Sequence, residues 1–321
     1  MKGLTVLVKY IIIAVVLMLV GGTVFMFVKT SGIAKKVYTH LLVRDTPDKW
    51  QRVCSAPDNE EQMAMWNDGL AWAEKNSSAK RDVMIENEGL KLFGELYDFG
   101  SESCVIILPG RCECLKYSYH YALPYQKAGI NVLVIDARCH GESDGVYTTI
   151  GVAESRDAIA WAEYLHDREN MKKVFFHGVC LGGAASMFAA ASEKLPPYVT
   201  AMVNEGCFVN FRESFKNHMI ADNRPVFPVL DLIMFNIKKN TGVNVLRDCP
   251  LNAAKKATLP VLFIFGEKDI YSVPEKSRRL IATYAGENKR VKWLPNGGHS
   301  HLRINNTEEY DNAVIEFIKE F

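Results

Sequence analysis

The chain's 321 residues suffice for one large α/β domain or two small ones and exclude a minimal binding module or a disulfide-stapled peptide. Apolar residues at 48% and charged residues at 23% belong to a folded globular protein, not a disordered one. With 38 Lys and Arg against 37 Asp and Glu, a net charge of +1 gives no basic excess for nucleic acid, and eight cysteines without paired C-x-x-C units suggest neither a disulfide framework nor a zinc ribbon.

Residues 10–28, YIIIAVVLMLVGGTVFMFV, are an uncharged run of 19, close to the ~20 that a helix needs to cross a hydrocarbon core. Lys2 and Lys9 before it, and Lys29, Lys35 and Lys36 after it, supply headgroup anchors. A secretory signal opens in the same way. However, no A-x-A site follows and the run is long for a signal's apolar region, so residues 1–29 read as an uncleaved single-pass anchor in the cell membrane. The basic residues on either side, Arg44 included, leave its sidedness open.

Residues 30–79 read as a juxtamembrane connection followed by a helix over 58–75, where Met63, Trp66, Leu70 and Trp72 recur at near-helical spacing. Strand-like runs over 80–99, broken at Asn87 to Gly89, predict a hairpin. Short apolar strands follow at 104–108 (CVIIL), 131–135 (NVLVI), 173–176 (KVFF), 199–203 (VTAMV), 260–265 (PVLFIF) and 291–294 (VKWL). Helical patterns at 115–127, 152–166, 181–193, 275–284 and 307–319 separate most of them. Such alternation predicts an α/β fold over 80–321: a mostly parallel sheet with helices on both faces and the hairpin as its antiparallel edge. About 55 residues between the fourth and fifth of these strands hold aromatic and aliphatic clusters without alternation, which predicts a helical lid at about 206–258.

The sharpest chemical signal is KVFFHGVCLGGAA over 173–185: an apolar strand, then Gly178-Val179-Cys180-Leu181-Gly182, then a helix of small residues. This is G-x-S-x-G with cysteine in the serine position. The spacing belongs to a strained strand-to-helix turn, where flanking side chains would clash and glycine is needed on both sides of the nucleophile. The turn also sets Cys180 at a helix N-terminus, whose unpaired N–H groups favour a thiolate. Asp269 lies in the loop after PVLFIF, and His299 follows Gly297-Gly298 after VKWL. In an open α/β sheet these loops leave the carboxyl ends of strands, where ligands bind. The chain order Cys180, Asp269, His299 makes His299 the base and Asp269 the group that orients its ring. His301 competes with His299 but lacks the preceding Gly-Gly, and Glu205 is the alternative acid.

On these motifs the chain resembles the α/β-hydrolase superfamily over roughly residues 80–321, and looks most like its bacterial membrane-associated, serine-aminopeptidase-like or esterase-like members. Leu108-Pro109-Gly110-Arg111 stands where the family has a strand ending His-Gly-x, and Asp136-Ala137-Arg138-Cys139-His140-Gly141-Glu142-Ser143 where it has D-x-R-G-H-G-x-S. The resemblance implies an oxyanion hole built from the backbone N–H groups of Arg111 and Leu181, a turn role for Ser143 and a structural role for His140. Cysteine at 180, proline at 109 and Cys139 depart from the pattern. A cysteine nucleophile occurs within the superfamily in dienelactone hydrolases. The reading is a membrane-anchored hydrolase of esters or thioesters of small or lipid-like acyl groups, contacting the bilayer through 10–28, with neither cofactor nor metal. The alternatives are an acyltransferase using the same acyl-cysteine and a non-catalytic binding protein. Cys112, Cys114, Cys139 and Cys207 all follow strands near the carboxyl edge that carries Cys180. They either fill small loop positions or include a disulfide partner that regulates it.

Overall fold

The structure, a computed structural model, describes residues 2–50 and 59–321. The first element is one unbroken helix, α1 (Lys2–Leu42). At 1.5 Å per residue its 41 residues measure about 60 Å, twice what a bilayer core requires. The division of labour within it is plain. The apolar stretch is exposed throughout, whereas Ala34, Tyr38 and Leu42, with Val43 just beyond, are buried in the domain's core. Residues 30–42 therefore continue the apolar stretch as one helix and pack against the α/β domain. Asp58, the expected start of the next helix, lies outside the described residues; α2 (Glu60–Lys75) begins behind Asn59, whose side chain accepts from the Gln62 N–H at 3.0 Å.

The hairpin is β1 (Lys80–Asn87) and β2 (Leu90–Tyr97). Then come β3 (Ser103–Leu108), α3 (Leu123–Lys127), β4 (Asn131–Ile135), α4 (Val152–Glu169), β5 (Lys173–Val179), α5 (Leu181–Ala190) and β6 (Val199–Glu205). The insert contributes α6 (Phe211–Ala221), α7 (Val229–Thr241) and α8 (Pro250–Ala254), and the chain closes with β7 (Val261–Gly266), α9 (Pro274–Thr283), β8 (Lys289–Leu294), α10 (Leu302–Asn305) and α11 (Thr307–Ile318). The helix expected over 115–127 is split into a 3-10 segment, Leu115–Tyr121, and α3. Pro124 explains the break: it has no N–H to give to a preceding turn but suits the first turn of a new helix.

The sheet order is β1-β2-β4-β3-β5-β6-β7-β8. β1 with β2 and β2 with β4 are antiparallel, and the remaining pairs are parallel. Period-two alternation sends the strand residues to two cores. Ile106, Leu108, Leu133, Phe176, Phe263 and Phe265 face the layer shared by α1, α4, α5 and the lid. Val105, Ile107, Val132, Phe175, Leu262 and Ile264 face the layer of α2, α3 and α11. The carboxyl ends of β3, β5, β6, β7 and β8 consequently gather along one edge, beneath α6.

Candidate active site

Cys180 occupies the turn between β5 and α5 with φ 52° and ψ −102°, a left-handed conformation that costs a non-glycine residue energy and recurs at functional sites. Its N–H donates to the Glu205 carbonyl at 2.9 Å, which ties the turn to β6. The two glycines are required by contact. A Cβ at Gly182 would stand 2.0 Å from the Leu108 carbonyl oxygen, and one at Gly178 would stand 2.3 Å from the Gly182 carbonyl oxygen. Cys180 is partly exposed, while the glycines and Leu181 are buried.

The structure brings His299 and Asp269 together: Nδ1 of the imidazole is 2.7 Å from Oδ2 of the carboxylate. Oδ1 of Asp269 accepts from the backbone N–H groups of Tyr271 and Ser272, both at 2.8 Å, so the carboxylate is fixed from both ends. The side chains of His299 and Asp269 are 8% and 1% exposed. Burial lowers the pKa of His299, but the Asp269 charge and the neighbouring Cys180 outweigh it and raise it well above the usual histidine value. Burial likewise acts to raise Asp269, and the imidazole and the two backbone donors override it, leaving the carboxyl below the ordinary range. Nε2 of His299 is buried and has no hydrogen bond of ordinary geometry, while the thiol of Cys180 lies close enough to act on the ring.

Glu205, the alternative acid, does not reach His299. Its Oε2 accepts from the Tyr310 hydroxyl, and Oε1 is buried without a partner. Tyr310 and Tyr125 bracket His177, at 3.1 and 2.9 Å from its two ring nitrogens, forming a buried polar chain behind β5. His301 pairs with Glu61 of α2 at 2.9 Å, away from the pair formed by His299 and Asp269.

The N–H of Leu181, first residue of α5, is one of the donors that a helix leaves without an internal partner. Across from it, the loop after β3 carries Arg111. Gly110 N–H is already engaged, donating to Glu113 Oε2 at 2.8 Å. Burial pushes the Glu113 pKa up, and His299 and Arg111 pull against it. Ser143 is a turn residue: its Oγ donates to the Asp136 carbonyl at 2.8 Å and accepts from Phe93 N–H at 2.9 Å. From the lid, His218 on α6 stacks on Tyr271 at 3.7 Å and stands edge-on to His299 at 6.4 Å. Burial, with Arg111 and His299 adding to it, lowers the pKa of His218 to about 3, so this ring is neutral beside the site. Glu113, His218 and Tyr271 escaped the sequence reading because none stands in a motif. The described cysteines are all free thiols, with Cys114 in a small cluster with Trp66 and Tyr117.

Residues 116–321 match the family model of the prolyl oligopeptidase family. The chain belongs to that family. Its fold is that of the α/β-hydrolase superfamily, and its family is one of hydrolases. Among curated proteins it is similar to the uncharacterized protein YqkD of Bacillus subtilis, 27% identical over 216 residues that span 67% of this chain and 70% of YqkD. Among solved structures it is similar to the Pyrococcus furiosus esterase Pf2001, with a TM-score of 0.65 at 23% identity over 78% of this chain and 94% of the esterase. An α/β hydrolase of Vibrio vulnificus aligns with a TM-score of 0.58 at 17% identity, over 86% of this chain and 99% of its own. These likenesses show the shared fold.

Proposed function

We propose that this member of the family is a membrane-anchored hydrolase of esters or thioesters that works through Cys180, His299 and Asp269. The observation that carries the reading is the left-handed Cys180 turn, close to a His299 whose Nδ1 is held by Asp269 and whose Nε2 is buried without a hydrogen bond. In this mechanism Nε2 takes the thiol proton and Sγ attacks the substrate's carbonyl carbon. The negative charge that develops on the carbonyl oxygen is met by the N–H groups of Arg111 and Leu181. Collapse breaks the bond to the leaving oxygen or sulfur, which receives the proton from His299, and an acyl-cysteine thioester remains. Water, deprotonated by His299, attacks that thioester and releases the carboxylic acid with Cys180 restored.

Attachment through α1 is supported by the exposed apolar stretch that runs without a break into core-packed residues. The test is turnover of p-nitrophenyl ester and acyl-thioester panels by the wild type, Cys180→Ala and Cys180→Ser in detergent micelles. The reading requires Cys180→Ala to be inactive, with Cys180→Ser retaining a fraction because the same base and turn suit a hydroxyl. Undiminished turnover by Cys180→Ala overturns it. Transfer of the acyl group to an added alcohol or amine in competition with water would make the enzyme an acyltransferase instead.

A further inference from the structure

The segment joining the anchor helix to the domain makes an unusual number of polar contacts with loops that no anchoring role needs. Lys49 Nζ donates to the carbonyls of Thr39 and Val43 at 2.6 and 2.5 Å, capping the end of α1 where helix carbonyls lack partners. Arg44 reaches the 136–147 loop, donating from Nη1 to the Ser143 carbonyl at 2.7 Å and from Nη2 to the Gly141 carbonyl at 2.9 Å. Its own N–H donates to the Val146 carbonyl at 2.8 Å, and Val43 bridges Tyr147 in antiparallel fashion. The Trp50 carbonyl accepts from Gly141 N–H at 2.9 Å, and the Trp50 ring stacks on His140 at 4.7 Å and 15°.

His140 carries the link onward. Its Nδ1 lies 2.9 Å from the Arg138 carbonyl and so must be the protonated nitrogen, which leaves Nε2 as the acceptor for the Cys112 N–H at 3.1 Å. Burial keeps this imidazole neutral, with its pKa lowered to about 4, so the acceptor survives across the physiological range. On the other side of the same loop, Arg111 Nη1 donates to the Leu41 carbonyl of α1 at 3.1 Å, at the helix end that favours a cation. Cys112 itself has φ 66°, a conformation that needs holding from outside. The loop that carries the oxyanion N–H of Arg111 is thus gripped at Arg111 by the end of α1 and at Cys112 by a histidine packed under Trp50.

We propose that the end of α1 and residues 43–50 form a clasp that positions the oxyanion loop, with Arg44, Trp50 and His140 as positioning residues. This rests on the acyl-cysteine reading above and adds to it that the membrane helix and the transition-state site are mechanically one unit. A donor displaced by about 1 Å from a developing oxyanion costs on the order of 10²-fold in rate. Attack of the Cys180 thiol on iodoacetamide develops no such oxyanion, so alkylation reports the nucleophile alone.

The experiment compares Arg44→Met, Trp50→Ala and His140→Leu in the full chain in detergent, with Val314→Ala, a buried substitution in α11 remote from the clasp, as a control for lost stability. Expected is a fall in kcat of roughly 10- to 100-fold with KM changed less than about threefold, and a Cys180 alkylation rate within about twofold of wild type. Arg44→Lys should recover part of the loss, and Val314→Ala should keep its kcat at temperatures where it is folded. Wild-type kcat in the three clasp variants overturns the inference, as does a loss of alkylation that matches the loss of kcat. If Cys180→Ala turns over normally, it is the acyl-cysteine reading that fails.

Discussion

Replacing Glu205 with glutamine removes an ionisable group from the interior without removing the acceptor that Tyr310 uses. Burial raises the Glu205 pKa from the ordinary glutamate value to about 7, with the Tyr310 hydroxyl opposing the shift. An unfolded glutamate releases its proton near pH 4.3, whereas the folded protein holds it until about 7. Between those limits the native state binds more protons than the unfolded state, so stability falls as pH rises through the window and is level above it. Holding the proton from about 4.3 up to about 7, at ~1.4 kcal/mol per pH unit, corresponds to roughly 3 to 4 kcal/mol. Glutamine carries no such penalty. The stabilities of Glu205→Gln and wild type should therefore converge near pH 4.5 and separate to roughly 3 to 4 kcal/mol in favour of the variant at pH 8. At the ~2 °C per kcal/mol typical of larger domains, this is roughly 6 to 8 °C in Tm. Thermal scans from pH 4.5 to 8.5 measure it, and the titrating groups that do not interact with Glu205 cancel in the difference, whereas His299, Glu113 and Asp269 interact with it. Parallel pH profiles for the two proteins, or a variant less stable at pH 8, would refute the reasoning.

Because Asp269 and not Glu205 meets His299, Asp269→Asn should lower kcat by about 10²- to 10⁴-fold while Glu205→Gln keeps turnover; the reverse ranking in steady-state assays would reassign the acid. Gly182→Ala drives a Cβ into the Leu108 carbonyl, so a loss of about 1 to 3 kcal/mol in urea unfolding is expected along with loss of activity. Deleting residues 1–29 should yield a folded enzyme that needs no detergent. Deleting 1–45 strips Ala34, Tyr38, Leu42 and Val43 from the core and should yield aggregates on size-exclusion chromatography.

The strands were legible because parallel strands buried on both faces read as short apolar runs, and their ends fell short where the next residues were small or polar, by three residues at His177-Gly178-Val179 in β5 and by two at Asn204-Glu205 in β6. The strained turn at Cys180 was legible because its glycines answer a steric demand that no other residue meets. The choice between Asp269 and Glu205 was not decidable from strand ends alone, since Glu205 closes β6 and Asp269 follows the end of β7; the pairing depends on loop geometry that has no periodic signature. The docking of α1 did carry a signal that hydropathy masked. Ala34, Val37, Tyr38, Leu41 and Leu42 recur at i, i+3, i+4, i+7 and i+8, the stripe of a helix with one buried face. The clasp was invisible because it runs through backbone carbonyls, and every residue has one.

The central claim is that Cys180 carries the acyl group. A slowly hydrolysed thioester or p-nitrophenyl ester, quenched in acid during turnover and digested, should leave its acyl mass on the peptide containing Cys180, removable by hydroxylamine and missing from Cys180→Ala. An acyl group found instead on Ser143 or another residue, or full turnover with Cys180 unmodified and replaced by alanine, would contradict the account.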